Sequence, residues 1–100
     1  LDVTSSAQTI YTNGSGGASV VYTLRITNVD GSVSDTITAD VIDGSTGNSR
    51  IAFEMTVPAG STVELAGQSK INLENGDKID LTGGASSGDL EAFLSTVEIT

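Results

Sequence analysis

The sequence predicts an all-β fold of antiparallel strands, a sandwich or a barrel. Three observations carry that expectation. From Arg50 to Leu81 apolar and polar residues alternate, and alternation at period two places one set of side chains on each face of a strand. Turns bearing Gly or Pro interrupt this stretch roughly every eight to ten residues, the spacing expected of short sandwich strands. No stretch shows helical periodicity.

Residues 1–18 are rich in Ser, Thr, Gly and Asn, and within them Gln8–Thr12 reads as a short strand. Asn13–Gly17 is a flexible loop, because Gly and Asn tolerate positive φ. The segment is either an ordinary first strand and loop or an N-terminal arm that reaches a neighbouring subunit. Asp30-Gly31 is a type I′ hairpin signal. A two-residue loop there sets Leu24 against Ile37, Tyr22 against Ala39 and Val20 against Val41, with the polar set facing solvent. Asp43–Asn48 is a turn, and Ile51–Val57 is the next strand, with Ile51, Phe53, Met55 and Val57 on one face. Pro58 ends it, since proline cannot donate to a ladder.

Thr62–Leu65 follows, with Val63 and Leu65 inward. Lys70–Leu73 and Lys78–Leu81 flank Glu74-Asn75-Gly76-Asp77. A two-residue Asn75-Gly76 loop would set Leu73 against Lys78. The faces agree only if the loop is odd in length or if the chain turns a corner from one sheet to the other. Gly83–Gly88 is a loop. The last strand, Asp89–Ile99, places Leu90, Ala92 and Leu94 on one face and Phe93, Val97 and Ile99 on the other. Either a bulge near Ser95 re-phases it, or both of its faces are covered.

Composition bounds the chemistry. One hundred residues fit a single domain, 1–100, with a radius of gyration near ~13 Å. With no Trp, two Tyr and two Phe, the core must be built from Val, Ile and Leu. There is no Cys, which excludes disulfides, thiolate metal sites and a catalytic thiol, and no His, which excludes a Ser-His triad. Four basic against thirteen acidic residues give a net charge of −9, which disfavours nucleic acid as a partner. No apolar run approaches the ~20 residues of a membrane helix. The chain opens at Leu1 rather than Met, which leaves room for a removed leader.

The remaining chemistry is sparse. Glu54, Glu64, Glu91 and Glu98 could form acid–base pairs, but they fall on the polar phase of strands. The Asp43–Asn48 and Glu74–Asp77 turns offer oxygen ligands without the spacing of a calcium-binding loop. Rows of Thr and Ser could contact carbohydrate, with Tyr11 as the stacking residue. The expectation is therefore a non-enzymatic protein with no catalytic residues, no metal and no cofactor.

Three motifs stand in order along the chain: Val57-Pro58-Ala59-Gly60-Ser61-Thr62-Val63-Glu64-Leu65, Ile71-Asn72-Leu73-Glu74-Asn75-Gly76-Asp77-Lys78-Ile79 and Leu94-Ser95-Thr96-Val97-Glu98-Ile99-Thr100. With Tyr11-Thr12 and Leu24-Arg25-Ile26-Thr27-Asn28-Val29 upstream, they resemble small virion structural proteins of tailed phages. That resemblance implies an all-β, antiparallel β-sandwich of about eight strands, jelly-roll-like, with an immunoglobulin-like sandwich as the alternative. It also implies a capsid decoration (cement) protein on the virion, with a tail or fibre component next. The implied partner is the major capsid protein or another virion protein, with self-association as a trimer. The candidate interface residues are Leu1, Val3, Ile10 and Tyr11 in the N-terminal segment and Phe93, Val97 and Ile99 on the last strand. A secreted adhesive module and a carbohydrate-binding module are the rival classes.

Overall fold

The computed structural model describes residues 2–14, 17–43, 47–66, 71–84 and 90–99, without the side chains of Asp2, Gly47, Asn48, Glu98 and Ile99. Among them run nine strands and no helix: β1 (Asp2–Val3), β2 (Gln8–Thr12), β3 (Ala18–Asn28), β4 (Asp35–Asp43), β5 (Gly47–Val57), β6 (Thr62–Glu64), β7 (Ile71–Leu73), β8 (Lys78–Gly83) and β9 (Leu90–Ile99). They form two antiparallel sheets. The first runs β1-β9-β3, with β6 and β7 end to end along the far edge of β3. The second runs β2-β8-β4-β5. The radius of gyration is 13.3 Å.

The pairings nest. β1 joins β9, β2 joins β8, β3 joins β6 and β7, and β4 joins β5. With β6 and β7 taken as two halves of one strand, this is the eight-strand jelly roll. The immunoglobulin-like alternative places the first two strands side by side in one sheet; here β1 and β2 lie in different sheets. The inner faces supply Val21, Leu24, Ile26 and Leu90 from one sheet and Ile37, Ala39, Ile79 and Leu81 from the other, all fully buried.

The expected Asp30-Gly31 hairpin does not form. β3 and β4 belong to different sheets, so residues 29–34 carry the chain across one end of the sandwich. Asp30 Oδ1 accepts from Ser32 N (2.8 Å) and Val33 N (3.2 Å), which folds the loop on itself. Asn28, buried at the end of β3, donates from Nδ2 to the carbonyls of Val33 and Val57, each at 3.0 Å. The expected facing set fails as well. Opposite Val21 and Thr23, β9 advances only from Thr96 to Ser95, so Tyr22 is an extra residue in β3. This bulge puts Val21, not Tyr22, into the core.

The Asn75-Gly76 turn takes the corner option: β7 lies in the first sheet and β8 in the second. Asp77 N donates to Glu74 O (3.0 Å) and Gly76 has φ +92°. The Pro58–Ser61 turn repeats the design, with Ser61 N donating to Pro58 O (3.1 Å) and Gly60 at φ +69°. A glycine with positive φ at the third position suits a type II turn. At the Asn75-Gly76 end of the sandwich, opposite Asn28, a second buried asparagine, Asn13, donates from Nδ2 to the carbonyls of Gly17 (2.9 Å) and Leu73 (3.0 Å) and accepts from Ser19 Oγ (2.9 Å).

β5 departs from simple alternation. Its register against β4 slips twice, between Met55 and Ala52 and between Ala52 and Arg50, so it carries two extra residues. Glu54 sits at φ +46°, and its N–H donates to Thr38 Oγ1 at 3.0 Å. Phe53, expected inward with Met55 and Val57, is turned out and 60% exposed. Bulges of this kind blunt an edge strand against lateral pairing.

Candidate interaction surface

β9 alternates without a bulge: Leu90, Ala92, Leu94 and Thr96 point inward or partly inward, and Glu91, Phe93, Ser95 and Val97 point outward. The interruption expected near Ser95 lies instead in β3 at Tyr22. Within this chain the outward apolar residues of the strand are exposed rather than covered. Phe93 is 55% exposed and Val97 46% exposed.

Neighbouring strands extend the patch. Val97 lies opposite Val20, and Phe93 lies opposite Arg25. The Arg25 guanidinium stands 5.1 Å from the Phe93 ring centroid, a cation–π contact that holds the ring in place. Tyr22, the extra residue of the β3 bulge, is 42% exposed. At its start β9 also pairs with β1, through Leu90 and Glu91.

The N-terminal candidates fare differently. Leu1 lies outside the described residues. Val3 is 1% exposed and belongs to the core under Gly83, so it is corrected from interface to interior. Ile10 and Tyr11 are half-buried against the core, and the register slip between Thr9 and Tyr11 turns both toward it. The Tyr11 hydroxyl is 3.0 Å from Ser19 Oγ, which in turn donates to Asn13, so the ring is tied to this corner. Asp2–Val3 and Gln8–Thr12 pair within the chain's own sheets, so these residues do not form a free arm. Ile99 continues β9 opposite Ala18 in backbone register, and its side chain lies outside the described set.

Two motif acids have structural roles. Glu64 Oε2 accepts from the N–H groups of Leu24 (2.8 Å) and Ala66 (3.1 Å), where β6 stops and β3 would otherwise have an unpaired donor. Asp77 Oδ2 accepts from Glu74 N at 2.9 Å inside its turn. The Asp43–Asn48 turn, with its oxygen ligands, falls largely outside the described residues. Among the described residues no group of three or more acidic side chains is placed to hold a metal ion. None of the helix-based spans that cross membranes occurs among them either.

No protein-family model, curated protein or solved structure matches the chain. The motifs from which a virion protein was expected occupy the corners and the β9 strand.

Proposed function

We propose that this chain is a non-enzymatic virion structural protein of the capsid-decoration (cement) type. It docks on the particle through the outer face of β9, with the major capsid protein as partner. The observation that carries this reading is the pair of large apolar side chains, Phe93 and Val97, exposed on the outward face of β9, with Val20 opposite Val97. Exposed apolar side chains grouped on one sheet face make a docking surface. Burying Phe93 and Val97 is worth roughly 1.5–3 kcal/mol each. That is weak for one copy, but symmetric repetition on a shell multiplies weak contacts. A trimer around a local three-fold axis fits such repetition. The net charge of −9 selects a neutral or basic docking surface on the shell.

The test is cryo-electron microscopy of virus particles produced from the genome that encodes this chain. Added density at repeated symmetry positions, with β9 facing the shell, supports the reading. The double variant Phe93→Ala/Val97→Ala should then fold normally and lose occupancy about 100-fold or more, from the ~3–6 kcal/mol of apolar burial removed. Absence of the chain from purified particles overturns the proposal, and so does full occupancy by the double variant.

A further inference from the structure

The opposite side of the molecule carries a site of a different character. On the outward face of the β4–β8 sheet lies an open cleft of about 320 Å³, lined by Thr36, Thr38, Phe53, Glu54, Thr82 and the Gly83–Gly84 backbone. Thr38 and Thr82 are direct cross-strand partners, and Thr36 follows two residues back on β4, so three hydroxyls stand on one surface. Phe53 and Glu54 enter from the edge strand only because β5 bulges there. That bulge holds Glu54 in the left-handed region at φ +46°, a conformation that costs a non-glycine residue on the order of 1–2 kcal/mol. An unstrained β5 would turn Phe53 inward and remove that wall of the cleft.

The ring is also fixed in place. Arg50 stands 4.4 Å from the Phe53 centroid, and its Nε donates to Asp40 Oδ1 at 3.0 Å, so the guanidinium is anchored at both ends. The floor needs glycine. A Cβ on Gly84 would collide with Thr36 Oγ1 and Asp35 Oδ1.

We infer that this cleft is a binding site for a short neutral saccharide. Each threonine hydroxyl can donate and accept, which matches the mixed donor–acceptor character of sugar hydroxyls. Thr38 Oγ1 already accepts from Glu54 N, which leaves its O–H to donate to a ligand. The Glu54 carboxylate accepts from vicinal hydroxyls, and the Phe53 ring packs against the apolar C–H face of a pyranose. Charge selects against anions. Glu54 lines the cleft, Asp40 and Asp80 follow on the same two strands, and the whole chain carries −9. The volume sits at the lower end of the ~300–1,000 Å³ usual for ligand pockets, and the site is open, so affinity is on the order of millimolar. This site does not depend on the capsid reading, because no residue of the β9 surface contributes to it.

The experiment is two-dimensional NMR of the full chain titrated with maltotriose, cellotriose, lactose, chitotriose and 3′-sialyllactose, each to about 20 mM, well above a millimolar dissociation constant. At least one neutral sugar should shift the amides of Thr38, Phe53, Glu54 and Thr82 together. Phe53→Ala should weaken that sugar about tenfold or more, and Thr82→Val several-fold, with unchanged circular dichroism. Phe53 is mostly exposed, so its removal leaves the fold intact. Phe93→Ala should leave sugar binding unchanged. The inference is overturned if no neutral sugar moves those amides, if binding survives both cleft variants, or if only the sialylated sugar binds.

Discussion

The two outward faces of this sandwich lie on sheets wired alike, yet they differ in kind. Over β9 and β3 the surface carries Val20, Tyr22, Phe93 and Val97, with Arg25 against the Phe93 ring. Over β4 and β8 it carries Thr36, Thr38, Asp40, Asp80 and Thr82, with Thr9 Oγ1 donating to Asp80 Oδ1 at 2.6 Å. The inward residues of the two sheets show no such contrast. Leu24, Ile26 and Leu90 on one side and Ile37, Ile79 and Leu81 on the other are all buried aliphatics. The interior is therefore a common structural solvent for both sheets, and what distinguishes the faces is free of it. One face suits apolar docking and the other suits hydroxyl chemistry.

The sharpest way to break this contrast is to show that an outward residue holds the fold. Leu24→Ala in one sheet and Leu81→Ala in the other should each lower stability by about 2–5 kcal/mol, since both leave cavities among fully buried neighbours. Phe93→Ala, on the outward face, should stay within about 0.5 kcal/mol of the native chain. Urea unfolding read by fluorescence or circular dichroism measures all three. A loss above about 2 kcal/mol for Phe93→Ala would mean that the apolar face contributes to folding rather than to docking.

A smaller effect belongs to the ends of the sandwich. Asn28 and Asn13 are buried, and each amide satisfies two backbone carbonyls at a corner where the chain changes sheet. Replacing either by Ala removes both of these hydrogen bonds, at a cost of about 2–3 kcal/mol. Hydrogen exchange should then accelerate first at the affected corner: the 29–34 and 58–61 segments for Asn28→Ala, and the 74–77 turn for Asn13→Ala. Uniform acceleration across both sheets would instead mean that the corners and faces do not unfold separately.

These corners mark where local reading of the sequence succeeds and where it stops. The alternation of β8 and the conflict between Leu73 and Lys78 across Asn75-Gly76 both lie in adjacent residues, and the corner was one of the two options they left. Asp30-Gly31 carries an equally good local hairpin signal, but its outcome is decided by Asn28 reaching Val57, twenty-nine residues away. Phe53 looks inward by period two. It points outward because Glu54 N–H finds Thr38 Oγ1 on another strand, a partner that no window around Phe53 contains. The outward set on β9 was legible because Phe93 and Val97 broke a pattern already supplied by Leu90, Ala92 and Leu94. The threonine cleft was legible only as scattered threonines, since the pairing of β4 with β8 assembles it. Tyr11, the expected stacking residue for sugar, is tied to Ser19 at a corner instead.

The smallest expected effect separates the corners from both faces by acid. Asp30 lies in the loop between β3 and β4, and the Ser32 N–H, the Ser32 hydroxyl and the Val33 N–H all donate to its carboxylate, which holds the group below the ordinary aspartate range. A folded-state value below the unfolded one, about 3.9, means that folding favours the charged form. Its contribution is full above the unfolded value and is lost as pH falls through the lower, folded one. Asp30→Asn keeps a side-chain acceptor but has no charge. The native chain should therefore melt slightly above Asp30→Asn at pH 7, and the gap should close on acidification below the usual aspartate range. Because Asp30 touches neither outward surface, sugar and particle binding should be unchanged by this variant at pH 7. A melting gap that widens in acid would show instead that folding favours the protonated form of Asp30.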